Sequence, residues 1–90
     1  MTKKEVTDLL EKNKNSLIQE LKESKELVFL IKESTTRTLT EEEKAKVKEQ
    51  LLDICKSIPA LTVFMLPGGA LLLPLLIKMI PNLLPIAFRN

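Results

Sequence analysis

Several residue types that support catalysis or redox chemistry are scarce in this 90-residue chain. Histidine, tryptophan and tyrosine are absent, and Cys55 is the one cysteine. Without histidine the chain lacks the commonest general base and metal ligand, and a single cysteine excludes an intrachain disulfide. We therefore expect no enzymatic activity, no cofactor and no bound metal. The missing Tyr and Trp and a net charge of only +2 also argue against direct DNA binding.

The charged residues are confined almost entirely to the first part of the chain. Residues 1–56 hold 24 of the 26 charged side chains, 12 acidic and 12 basic, whereas residues 57–90 hold only Lys78 and Arg89. This contrast predicts a charged amphipathic helical region at 1–56, followed by a proline-rich apolar membrane segment at 57–90. The first residues are charged with no apolar stretch behind them, so we expect no signal peptide and a cytoplasmic N-terminus.

Two T-x-x-E sequences, Thr2 with Glu5 and Thr40 with Glu43, have the spacing of a capping box. They predict one helix from residue 2 to about residue 33 and a second helix after Thr40. The first helix carries an apolar stripe of Val6, Leu10, Leu17, Leu21, Val28 and Ile31. Its interrupted heptads favour packing on the next helix of the same chain, and the alternative is a coiled-coil surface for another helical protein. The second helix carries an apolar face of Val47, Leu51, Ile54, Cys55 and Ile58.

The apolar half combines a long uncharged run with regularly spaced prolines. Residues 58–77 contain no charge, and as one helix they would span about 30 Å, the thickness of a bilayer's hydrocarbon core. Prolines recur every seven residues, so a continuous helix would leave a column of carbonyl groups without amide partners. That column should avoid lipid, and in an oligomer it is a candidate lining for a cation path. The prolines are Pro67, Pro74 and Pro81, and the freed carbonyls belong to Val63, Ala70 and Ile77.

Three arrangements of this half are open. It can form a proline-kinked transmembrane helix, or it can break at Pro67-Gly68-Gly69 into a re-entrant hairpin. The third arrangement is a soluble helical hairpin that buries residues 58–88 against residues 6–58. We expect an all-α chain of two amphipathic helices followed by a proline-kinked apolar helix, transmembrane or re-entrant. More cations precede the segment (Lys44, Lys46, Lys48 and Lys56) than follow it (Lys78 and Arg89), which predicts a cytoplasmic N-terminal side.

The most specific pattern in the chain is the proline-spaced sequence LP…LLP..IK.IPN.LP..F. It is carried by Pro67, Pro74, Lys78, Pro81, Asn82, Pro85 and Phe88. With it, residues from about 39 to 88 resemble the segment around the transmembrane helix of the LETM family (leucine zipper and EF-hand containing transmembrane proteins). The resemblance implies a short bacterial LETM-like protein of the ribosome-binding-domain type, located at the inner membrane.

The resemblance also implies a set of partners and activities. The implied role is to bind or tether ribosomes, or to scaffold other proteins, with membrane lipid and the ribosome as partners and a further copy of the chain or another helical protein as candidates. The family pattern places an acidic residue where Ala70 stands here, and an intramembrane carboxylate is a natural proton or cation carrier. This chain has no such carboxylate in its apolar half. Cation/proton exchange by an oligomer, and with it ion homeostasis, is an alternative function that the resemblance implies. A soluble helical interaction module is another.

Overall fold

Six α-helices and two 3₁₀ helices follow one another along residues 1–88, the part of the chain that the computed structural model describes. Arg89, which entered the charge comparison above, lies outside the described residues. No strand occurs in residues 1–88, so the predicted all-α class is confirmed. The α-helices are α1 (Lys3–Lys12), α2 (Lys14–Glu23), α3 (Lys25–Ser34), α4 (Glu41–Ser57), α5 (Pro67–Ala70) and α6 (Leu73–Leu83), and the 3₁₀ helices are Pro59–Met65 and Pro85–Phe88.

Both predicted capping boxes are formed. Thr2 Oγ1 accepts a hydrogen bond from the Glu5 amide at 3.1 Å, and the Thr2 amide donates to Glu5 Oε1 at 2.9 Å. Thr40 and Glu43 repeat the same pair of bonds, at the same two distances. Each box satisfies two backbone donors that would lack a partner in the first turn of a helix, so it sets where α1 and α4 begin.

The single helix predicted for residues 2 to 33 is wrong: three ten-residue helices occupy this stretch. They are separated at Asn13 and Ser24, whose ψ angles of 19° and 73° depart from helical values. Asn13 Nδ2 donates to the carbonyl of Leu9 at 2.9 Å. An Asn side chain offers the backbone an alternative to helical hydrogen bonds, and at Asn13 this local bond accompanies the end of α1. Lys14 and Ser24 interrupt the apolar stripe at these two places, and the stripe resumes in register beyond each of them.

The apolar stripe of α1 to α3 lies in the core of its own chain. Five of its six members are buried there, and Val28 packs against that core half-buried; the five are Val6, Leu10, Leu17, Leu21 and Ile31. The interpretation that the stripe packs within its own chain is therefore confirmed, and the stripe is not an open coiled-coil surface. The predicted apolar face of α4 is buried as well, in the same core.

Prolines divide the apolar half into short helices instead of kinking a long one. Pro59 and Pro85 begin the two 3₁₀ helices, Pro67 begins α5, and Pro74 stands in the first turn of α6. A proline in a first turn loses no hydrogen bond, because its N–H would have had no partner there. Pro81 alone lies inside a helix. The continuous proline-kinked helix predicted for this half is therefore not formed.

Within residues 1–88, no helix has the length and the apolar character needed to cross a membrane.

The two halves of the chain share one core. Buried side chains of the apolar half, led by Phe64 with 0% of its surface exposed, belong to the same cluster as the stripe of α1 to α3. In this arrangement α1 and α3 pack against α6, and α4 packs against the first 3₁₀ helix. The radius of gyration, 12.0 Å, matches the roughly 12 Å expected for a compact domain of this length. Of the three arrangements above, the structure agrees with the third in burying residues 58–88 against residues 6–58, but several short helices take the place of the predicted hairpin.

Candidate functional site

The family-motif residues of α6 lie on its outer face. Pro74, Lys78 and Asn82 follow one another at four-residue intervals and are exposed, and Pro81 beside them is half-buried. Residues at this spacing share one side of a helix. The opposite side packs into the core through Leu73, Leu76, Met79 and Ile80. The outer face of α6 thus exposes Pro74, the lysine and the amide to solvent. The apolar side chains on the opposite side hold the helix against the core.

The remaining motif residues mark the ends of elements. Pro67 and Pro85 are exposed and begin α5 and the second 3₁₀ helix. Phe88 is half-buried and packs against the core from the last described position. The motif therefore contains residues that begin helices and one solvent-facing stripe on α6. The spacing of the prolines in the sequence had predicted a single helix for these residues.

The candidate carbonyl column is not present in this fold. Val63 lies in the first 3₁₀ helix, the backbone of Ala70 belongs to α5, and Ile77 lies in α6. The Val63 carbonyl accepts a hydrogen bond from the Leu66 amide at 3.4 Å. A column required one continuous helix, and the helix starts at Pro67 and Pro74 remove that geometry. Within α6, Pro81 has no N–H to donate to the Ile77 carbonyl, so this carbonyl lacks its i+4 partner as predicted.

Gly69 brings α5 into direct backbone contact with the first 3₁₀ helix. A Cβ atom at this position would lie 2.0 Å from the Val63 carbonyl oxygen and 2.9 Å from the Phe64 Cα atom. A Cβ atom at Gly68 would meet nothing within 4 Å. The two glycines, which read alike in sequence, therefore differ in role: only Gly69 is required for the close approach that shapes this turn.

An apolar tip, formed by Met65, Leu66 and Leu71 around Pro67 and Gly68, projects from this turn. Leu71 is 81% exposed, Leu66 59% and Met65 38%, and the two residues between them in the tip are exposed as well. Sequence reasoning missed this feature, because it treated the whole apolar half as one segment. Hydropathy does not distinguish leucines that are buried in the core from leucines that are exposed to solvent.

Charge is distributed unevenly along the chain. The last acidic side chain in the sequence is that of Asp53, so every ionisable side chain after it is basic or is the buried Cys55 thiol. Lys56, in the last turn of α4, and Lys78, on α6, are both exposed. A cation near the C-terminus of α4 also complements the helix dipole. The outer face of α6 is therefore basic without being densely charged.

An ion-pair cluster joins α3 to α4. Arg37 Nη1 and Nη2 donate to the two carboxylate oxygens of Glu43 at 2.9 and 2.8 Å, and Arg37 Nε donates to Glu33 Oε1 at 3.1 Å. The bonds from Arg37, followed by the bond from the Thr40 amide, lower the pKa of Glu43 to about 2. The capping carboxylate of α4 thus also holds the connection from α3.

Two shallow polar grooves run beside α2 and α4. Their volumes are about 240 and 330 Å³, and Glu20 and Ser57 line both. Within residues 1–88, no three Asp, Glu or Cys side chains come together in a way that would hold a metal ion. Burial raises the pKa of the Cys55 thiol to about 11, so this thiol is protonated at neutral pH.

Comparison with known proteins identifies one family. The family model described as LETM1-like, RBD matches residues 39–90. No curated protein and no solved structure matches the chain. The matched segment contains α4, the first 3₁₀ helix, α5, α6 and the second 3₁₀ helix. The elements after α4 together carry the whole proline-spaced motif. Because this match covers more than half of the chain, the protein belongs to the LETM1-like ribosome-binding-domain (RBD) family.

Proposed function

We propose that this protein is a non-enzymatic ribosome-binding module that contacts the ribosome through the outer face of α6. The observation that carries the proposal is the family match over residues 39–90, which contains that face and its motif. On one side of the helix, Pro74 presents a proline ring, Lys78 a cation and Asn82 an amide. Binding of this kind suits a tether or a scaffold that holds ribosomes or other proteins at one place.

The charge pattern supports contact with ribosomal RNA. A phosphate backbone attracts lysine and repels carboxylates, and no acidic side chain occurs in the sequence after Asp53. Lys78 is the one cation on the outer face of α6, and Asn82, one turn further on, adds amide donors that phosphate or sugar oxygens can accept. So few cations predict modest affinity with a shallow dependence on salt.

The polar chemistry of the chain supports a role without catalysis. Histidine is absent from the sequence, and the Cys55 thiol is buried with a raised pKa. A buried, protonated thiol is a poor nucleophile. The chain therefore offers hydrogen bonds, packing and charge to a partner.

Cosedimentation of the full chain with purified ribosomes over a series of salt concentrations tests the proposal. We expect Lys78→Gln to lower the affinity about threefold to tenfold and to reduce the slope of log affinity against log salt by about 1. Lys3→Gln is the matched control, since Lys3 is an exposed lysine on α1, outside the family match. Failure of the wild-type chain to sediment with ribosomes, or an equal loss in both variants, would contradict the proposal.

A further inference from the structure

We propose that the outer side of α3 binds single-stranded RNA. In this arrangement an unpaired base stacks on the ring of Phe29, and the phosphates on either side of it lie against Lys25 and Lys32. These three residues precede the family-matched segment, which begins at residue 39. The site is therefore a different surface from the outer face of α6, and it does not rest on ribosome binding.

Phe29 is the one aromatic ring that residues 1–88 leave open to solvent. The chain has three aromatic side chains, and all of them are phenylalanine. Phe64 is fully buried and Phe88 is half-buried, whereas Phe29 is 57% exposed. An exposed ring of this kind offers its face to an unpaired base, and such stacking tolerates any base because every base has a π-face.

Two lysines flank the ring on α3. Lys25 precedes Phe29 by four residues and Lys32 follows it by three, and these spacings place the side chains on successive turns of one helix face. Both lysines are exposed, and within residues 1–88 neither forms an ion pair with a carboxylate. They lie about 10 Å apart along the helix axis, with the ring between them. The α3 stripe of Lys25, Phe29 and Lys32 therefore combines two cations with one aromatic platform.

The carboxylates nearest to the α3 stripe are engaged toward α4. Glu26 accepts hydrogen bonds from Gln50 at 2.7 Å and from Lys46 at 3.3 Å, and both donors belong to α4. Glu33 belongs to the ion-pair cluster that joins α3 to α4, and Glu23 lines the polar groove beside α4. With 3.6 residues per turn, the two lysines lie on the opposite side of the ring from the two glutamates of α3. The lysines are thus separated from the acidic side of the helix.

Charge complementarity and the exposed ring favour an RNA strand as the occupant. A phosphate strand attracts the lysines and its unpaired bases stack on the ring, which is the combination used by proteins that bind single strands. RNA loops and ends present such unpaired bases, whereas the base faces of a duplex are already stacked. A second copy of the chain would need about 800 Å² of interface, more than one ring and two lysine side chains supply. An acidic protein segment matches the lysines but brings no planar ring to stack on Phe29.

A tryptophan at the centre of the α3 stripe reports directly on stacking, because the chain has no tryptophan of its own. We expect the emission of Phe29→Trp to be quenched, at low salt, by an oligoadenylate about ten nucleotides long. Leu71→Trp is the matched control at an 81% exposed position outside α3, and its emission should not change.

Fluorescence anisotropy of a labelled oligoadenylate measures the contribution of each side chain. We expect Phe29→Leu, which keeps an apolar side chain and removes the ring, to lower the affinity at least about fivefold. Lys25→Gln and Lys32→Gln should each reduce the slope of log affinity against log salt by about 0.7. Lys3→Gln and Lys12→Gln, at exposed positions on α1, are the matched controls and should change neither quantity.

Several outcomes would overturn the proposal. They are no binding of the oligoadenylate by the wild type, full affinity in Phe29→Leu, and equal losses in the α3 and α1 lysine variants. Equal affinity for the oligoadenylate and for its duplex with oligouridylate, or for polyglutamate, would also contradict it, since neither competitor offers an unpaired base. Ribosomes are absent and Lys78 is unaltered in every variant, so failure here leaves the ribosome proposal untouched.

Discussion

Arg37 and Glu43 form a bidentate pair in which two guanidinium nitrogens donate to the two carboxylate oxygens at 2.8 and 2.9 Å. The same carboxylate accepts the Thr40 amide at 2.9 Å. One side chain therefore both caps α4 and ties it to the segment that follows α3. Planar, two-point bonding of this kind fixes orientation more strictly than a single ion pair. Arg37 lies just before the family-matched segment, and Glu43 lies near the start of that segment.

This pair predicts a pH dependence of stability. The pKa of Glu43 is about 2 in the folded chain, below its ordinary value of 4.5. Because the folded pKa is depressed, the stabilisation is present above about pH 4.5 and is lost as the pH falls toward 2. We expect the melting temperature of the wild type to fall across this window more steeply than that of Glu43→Gln, as measured by circular dichroism. Parallel pH profiles for the two proteins would contradict the prediction.

The two neighbouring glycines predict opposite responses to alanine. Gly69→Ala places a methyl group 2.0 Å from the Val63 carbonyl oxygen, and we expect the free energy of unfolding to fall by about 2 kcal/mol. Gly68→Ala meets open space and, since no glycine has a positive φ, should be neutral or stabilising by about 0.5 kcal/mol. Urea denaturation of both variants measures the difference. Equal effects would show that the close approach at Gly69 does not constrain the fold.

Adjacent residues of the first 3₁₀ helix test the shared core. Phe64→Ala removes a side chain with none of its surface exposed, and we expect a loss of about 3 to 5 kcal/mol of the free energy of unfolding. Met65→Ala, in the apolar tip, should change it by less than about 0.5 kcal/mol. Thermal and urea unfolding in the absence of lipid provide the measurement. Similar, small effects of both variants would mean that the apolar half does not pack on α1 to α4 in water.

Two prolines of the seven-residue series should respond in opposite directions. Pro81→Ala supplies the N–H that the Ile77 carbonyl lacks, so we expect α6 to be stabilised by about 2 kcal/mol. Pro74 stands in the first turn, where its N–H is not needed. Pro74→Ala should therefore cost about 0.5 kcal/mol through greater freedom of the unfolded chain. Chemical denaturation distinguishes the two, and a destabilised Pro81→Ala variant would contradict the role given to the Ile77 carbonyl.

Local signals in the sequence predicted the polar half well. The spacing of Thr2 with Glu5 and of Thr40 with Glu43 predicted two helix starts, because a capping box depends only on residues within one turn. The apolar period predicted the buried face of α4 and most of the buried stripe of α1 to α3. The same period did not predict the breaks at Asn13 and Ser24, because the apolar stripe resumes in register after the interruptions at Lys14 and Ser24.

Long-range packing decided the apolar half. The prolines at 67, 74 and 81 carry the same local signal whether they kink one helix or begin several, because a proline is tolerated in a first turn and disruptive inside a helix. Hydropathy likewise gives Phe64 and Leu71 similar weight, although one is fully buried and the other 81% exposed. The outcome depends on whether other elements cover these side chains, and short-range patterns do not contain that information.

The sequence by itself determined the all-helical class, the capped starts of α1 and α4, and the proline-spaced motif that marks the family. Tertiary structure alone decided that the motif is split among several short helices, that Val63, Ala70 and Ile77 do not form a column, and that Met65, Leu66 and Leu71 are left at a tip. The physical reason is that caps and periodicity act within a few residues. Burial depends on the apolar surface that α1, α3 and α4 offer from distant parts of the chain.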